Sequence, residues 1–126
     1  MRLHLMLPWG AVLIAALVLD APKDRVFNGE IMDPQCAMDG THAEMLKKVG
    51  LAGKDPKDAE AKKTCSEICV QMGGKYVLYD AASQKTYQLD DQSKAKQFAG
   101  QTVKVSGTLD KSGTKIHVTS VEPFSQ

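Results

Sequence analysis

The sequence predicts a mainly β domain with a helical insert, built as a small five-stranded barrel of the OB-fold type. Three observations carry this. Five β-prone segments lie between residues 25 and 123. The stretch 34–73, between the first and second of them, loses strand alternation and shows helix signals instead. A shorter helix signal falls between the third and fourth strands. Strand, insert, strand, strand, short helix, strand, strand is the order of that barrel, and closing the sheet removes its exposed edges. An open five-stranded sheet with the insert laid across one face is the alternative.

The first strand is "RVFNGEIMD", Arg25 to Asp33. Phe27 and Ile31 share one face, and Gly29 between them reads as a bend or bulge. Asp33-Pro34 ends the strand, because proline cannot donate to a ladder. In the insert, "THAEMLKKVG" reads as a short helix with Thr41 and Glu44 as a capping box. "DPKDAEAKKTCSEICVQMGG" reads as a longer helix, capped by Asp55 with Pro56 in its first turn. Its apolar face is Ala61, Cys65, Ile68, Cys69 and Met72.

"KYVLYD" and "KTYQLD" are the second and third strands, with Tyr87 and Leu89 on one face. "DQSKAKQFAG" is the short helix, and Asp90-Asp91 suit its start. "QTVKVSGTLD" alternates, with Val103, Val105, Gly107 and Leu109 on one side. After the turn "DKSG", "TKIHVTSVEP" places Ile116 and Val118 inward and His117 outward.

The chain has 126 residues and a formal net charge of +1, which suits one domain. No basic stripe is present to displace counterions, so nucleic acid is excluded as a partner. Aromatic residues are 6% of the chain, too few for a stacking platform. The N-terminus, "MRLHLMLPWGAVLIAALVLDAPKD", has Arg2 before the apolar run Ala11 to Leu19. That run has the length of a secretory signal core and is short of the ~20 residues of a membrane span. Residues 1–21 therefore read as a signal peptide cut after Ala21, or as an uncleaved anchor, and residues 22–126 as the single domain. The domain is expected outside the cytoplasm of a bacterium, periplasmic or secreted, or held at the inner membrane by the uncleaved segment. Such compartments are oxidising.

Chemistry concentrates in the insert. Cys36, Cys65 and Cys69 are an odd set, so a fully paired disulfide framework fails. Cys65 and Cys69 are one helical turn apart, in poor geometry to bond each other. A disulfide from Cys36 to Cys65 or Cys69 would close a loop of about 30 residues, worth roughly 3.5 kcal/mol by chain entropy. Alternatively Cys36, His42, Cys65 and Cys69 form a Cys3His tetrahedron for zinc. Met32, Met38, Met45 and Met72 flank these cysteines, and thioether with thiolate is a soft set suited to copper(I). Methionine also simply fills core gaps, and reduced, buried cysteines with neither role are the third reading.

Other chemistry has no support. "CSEICV" is neither a CxxC redox motif nor a haem-attachment motif, Ser66, Ser106 and Ser112 lack nucleophile partners, and His117 reads as a solvated strand residue. The chain reads as a protein without enzymatic activity.

The runs "GEIMDPQCA", "CSEIC", "GGKYVLYD", "YQLDDQSKAKQFAGQTVKVSGTLD" and "IHVTSVEP" resemble a bacterial family of small exported domains of unknown function. The similarity runs from about Val26 to Pro123. The family's D-x-x-C element falls on Asp33 and Cys36 and its C-x-x-x-C pair on Cys65 and Cys69. Pro34 departs from the small residue usual after the aspartate. The resemblance implies export and an OB-fold-like core, and brings no activity with it. Two function classes follow. One is a non-enzymatic cell-envelope module binding a small ligand or an envelope protein, with Tyr76, Tyr79 and Tyr87 on the barrel face that OB-folds use. The other is a zinc or copper domain centred on Cys36, His42, Cys65 and Cys69. A thiol-redox protein using the odd cysteine is a weaker third, because that thiol reads as buried.

Overall fold

The structure is a computed structural model that describes Leu17 and residues 23–125. The signal or anchor expected at residues 1–21 lies outside the described residues apart from Leu17. Among the described residues no helix is long and apolar enough to cross a membrane.

Five strands form one mixed sheet that closes in a ring. They are β1 (Arg25–Met32), β2 (Val77–Asp80), β3 (Lys85–Leu89), β4 (Thr102–Leu109) and β5 (Lys115–Pro123). The order around the ring is β1-β2-β3-β5-β4. Neighbours are antiparallel except β3 and β5, a short parallel pair at Gln88–Lys115 and Leu89–Ile116 that completes the closure. The helices are α1 (Pro34–Asp39), α2 (Ala43–Lys48), α3 (Ala59–Gln71) and α4 (Gln92–Lys96).

Strand alternation sorts the side chains of β1 and β2 into two cores. Phe27, Ile31, Tyr76 and Leu78 point into the ring with Tyr87, Leu89, Val103, Val105 and Ile116. The Phe27 and Tyr87 rings meet at 5.3 Å. Ala95 and Ala99, from α4 and the turn after it, join this interior. Met32, Val77 and Tyr79 point outward, and α1, α2 and α3 lie over them. There they bury Cys36, Ala37, Met45, Leu46, Ala61, Cys65 and Cys69 in a second core. The insert therefore exists as a layer because the outer face of β1 and β2 is apolar.

Gly29 is not a bulge. A Cβ there would stand 2.5 Å from the Tyr79 carbonyl oxygen, so the glycine serves close approach of β1 to β2. The irregular register lies between β4 and β5, at Ser106/Gly107.

The helix boundaries differ from the sequence expectation in the insert. The segment after Asp33 turns into α1, with Asp33 as N-cap and Pro34 in the first turn. His42, not Thr41, holds the N-cap position of α2; Thr41 Oγ1 accepts from the Ala43 amide and no capping box forms. Asp55 accepts from the Lys57 amide in a turn, and Asp58 caps α3 through the Ala61 amide. Two aspartates three residues apart offer the same local signal, and packing selects the second. On α3, Ala61, Cys65 and Cys69 are buried as the periodicity requires, while Met72 is 77% exposed because the helix ends at the edge of the second core.

Asp91 caps α4 through the Lys94 amide, as expected. Asp90 does something else: it accepts from the Val118 amide at 2.8 Å and pairs with His117 Nδ1 at 3.0 Å, tying the end of β3 to β5. The Val118 amide, opposed by slight burial and helped by His117, holds the Asp90 carboxyl below its usual range. A carboxyl depressed in the folded state stabilises above its unfolded value near pH 4, and that stabilisation is lost as pH falls through the folded value. Asp90→Asn is expected to flatten the loss of thermal stability below about pH 4. Parallel melting-temperature profiles for the two proteins would remove Asp90 from the acid response.

Candidate metal centre

Each donor of the centre comes from a different piece of the insert. Cys36 stands in the first turn of α1. The Asp33 carboxylate accepts from the Gln35 amide at 3.0 Å and the Cys36 amide at 3.2 Å, which fixes the cysteine at the end of β1. His42 sits where α1 hands over to α2. Cys65 is in the middle of α3, on the face turned to the ring. Ligand atoms of Cys36, His42 and Cys65 all lie within 4.8 Å of one another, and all three residues are buried.

The imidazole is oriented from behind. Its Nε2 meets a Glu30 carboxylate oxygen at 2.8 Å. Lys62 donates to the other oxygen of Glu30. Burial pushes the Glu30 carboxyl up, but His42 and Lys62 together outweigh it and hold the group below its usual range. An ionised carboxylate only accepts, so Nε2 carries the proton. The other ring nitrogen, Nδ1, is buried and has no hydrogen-bond partner. A carboxylate bonded to one nitrogen of an imidazole that lies beside thiols, with the second nitrogen left free, is the usual support of a metal-bound histidine.

The link expected from Cys36 to Cys65 or Cys69 is absent. All three cysteines are free, and Cys36 Sγ and Cys65 Sγ stand 4.0 Å apart, about twice a disulfide bond length. Two sulfurs at that separation, with an imidazole beside them, leave room for an ion between them. Burial first, and then the nearby Asp33 carboxylate, push the Cys36 thiol far up. Burial also raises Cys65. Cys69 is pushed up to about 12, again by burial first and Asp33 second. In the absence of a cation these are protonated, unreactive thiols.

Cys69 is not part of the close group. It lies one helical turn from Cys65 on α3 and lines the same cleft as Asp33 but stands outside the triad within 4.8 Å. The methionines divide: Met32 and Met45 pack in the second core, and Met38 and Met72 are exposed. The three tyrosines do not share a surface. Tyr76 and Tyr87 are inside the ring, and Tyr79 packs outward against the insert.

Glu30 is the site residue that sequence reading missed. Its signal was alternation: it shares a strand face with Met32, opposite Phe27 and Ile31. That face becomes interior only because the insert covers it.

Fold and site together define a small mainly β domain whose helical insert carries a buried Cys–His–Cys cluster. No family model, curated protein or solved structure matches the chain.

Proposed function

We propose that this protein is an exported metal-binding module of the OB-fold type that holds one zinc ion on Cys36, His42 and Cys65. The observation that carries the reading is the His42 imidazole: buried, tied to Glu30 through Nε2, unpartnered at Nδ1, and within 4.8 Å of two buried thiols. An unsatisfied buried nitrogen costs free energy that a bound cation would remove.

Charge selects the ion. Glu30 and Lys62 cancel, and a neutral imidazole with two thiolates carries −2, which a divalent ion neutralises and a monovalent ion does not. Uncompensated charge in a buried site is costly. Thiolate and imidazole donors suit zinc, and the exposed thioethers of Met38 and Met72 weaken the copper(I) reading. The ion would tie α1, the α1–α2 junction and α3 together and so fasten the insert to the ring. The ring order β1-β2-β3-β5-β4, with a helix between β3 and β4, supports the OB-fold assignment. The apolar run Ala11 to Leu19 supports export.

The test is metal content. The full chain, purified from an exporting host and also reloaded after chelation, is expected to hold one zinc per chain. Cys36→Ser is expected to hold none. A wild-type chain that takes up no metal in either preparation sinks the proposal, and stoichiometric copper with zinc excluded replaces the ion.

A further inference from the structure

Cys69 is the thiol the centre leaves over, and its surroundings give it a task. It follows Cys65 by one turn of α3, on the same helix face. A cleft of about 310 Å³ opens beside it, between the start of α1 and the end of α3. Asp33, Met45, Cys69 and Met72 line that cleft; Cys36, His42 and Cys65 do not. The side chains of Cys36 and Cys65 are fully buried, whereas Cys69 keeps 7% exposure. The other opening near the centre, on the His42 side, is lined by Glu30, Lys57 and Lys62. Glu30 is paired with Lys62 there, which leaves a cation facing the charge of Lys57, and the imidazole nitrogen next to Glu30 is already occupied. The Asp33 side carries an acidic group and soft sulfur donors and no cationic side chain.

We propose that metal is loaded and released through the Asp33–Cys69–Met72 cleft, with Cys69 as the relay ligand that passes the ion to Cys65. This rests on the zinc reading of Cys36, His42 and Cys65. Cys69 gives its thiol proton to solvent as it takes the hydrated ion, and the ion's waters leave through the cleft. When Cys65 takes the ion over, the Cys65 proton moves to the Cys69 sulfur. Cys36 gives its proton to water, and His42 contributes the Nδ1 lone pair. Two protons leave the chain for each zinc bound, and no electrons move.

The experiment compares zinc content and exchange kinetics of the full-length wild type and Cys69→Ser, using zinc alone for loading and an excess of chromogenic chelator for release. Cys69→Ser is expected to retain one zinc per chain while loading and release both slow by at least about tenfold, the scale on which loss of a group behind a metal ligand is felt. Unchanged rates overturn the relay. A Cys69→Ser chain that folds but holds no zinc also overturns it, because Cys69 is then a ligand of the centre. A wild type without zinc overturns the metal reading beneath it. Cys69→Ala gives a second variant: one zinc per chain, with loading and release slowed at least as far as in Cys69→Ser, is expected, and unchanged rates overturn the relay.

Discussion

Replacing His42 with alanine is expected to abolish zinc binding and to destabilise the metal-free protein by about 2 kcal/mol, the range of a hydrogen bond to a charged group. The two effects have separate causes. Zinc is lost because Cys36 and Cys65 alone offer two donors, and the nitrogen that completes the close group is gone. Stability is lost because Glu30 loses its His42 bond in a mostly buried position and keeps Lys62 as its one ionic partner among the described residues. Zinc titration against a competing chelator measures the first effect and urea denaturation of the metal-free chains the second. Glu30→Gln separates the roles further. It keeps an acceptor for Nε2 but removes the charge, and zinc affinity is expected to fall by about 10–100-fold rather than vanish. A His42→Ala protein that holds zinc as tightly as the wild type would falsify the site.

Gly100→Ala is expected to be strongly destabilising, costing roughly 3 kcal/mol or more. Gly100 has a φ of +73°, in the left-handed region where a Cβ is strained. The added Cβ would also lie 2.5 Å from the Lys63 amide nitrogen and 2.6 Å from the Lys62 carbonyl carbon. These are backbone atoms of α3, so no side chain can turn aside. The Gly100 amide donates to the Ile31 carbonyl at 2.7 Å, which pins the same point to β1. The substitution must therefore push α3 away from the ring. Because α3 carries Cys65, zinc affinity is expected to fall with stability although Gly100 touches no ligand. Chemical denaturation and zinc titration of the same variant test both parts. A variant with wild-type stability would show that the helix yields at no cost.

Much of the fold is legible in the chain because its signals are local. Phe27 and Ile31, Tyr87 and Leu89, and Val103 and Val105 alternate as strand residues with one buried face, and they are buried. Asp91 caps α4 because a carboxylate three residues ahead of an amide needs nothing else. Local signals fail where two are equal. Asp55 and Asp58 both announce a helix start, and only the second is one. The parallel closure of β3 on β5 joins residues too far apart in sequence for any turn chemistry to announce.

The candidate site divides in the same way. Cys36, His42 and Cys65 are nameable from residue type and spacing, since few side chains bind transition metals. The chain alone also determines that Cys65 and Cys69 share a helix face, because 3.6 residues per turn leaves no other arrangement. It does not determine which thiols meet. That is decided by the path of the insert over the outer face of β1 and β2, which buries Cys36 against Cys65, leaves Cys69 at a cleft, and turns Glu30 from a strand acid into the support of His42. The reason is physical: periodicity and capping act over a few residues, whereas the separation of donors 29 residues apart is fixed by packing of the whole layer.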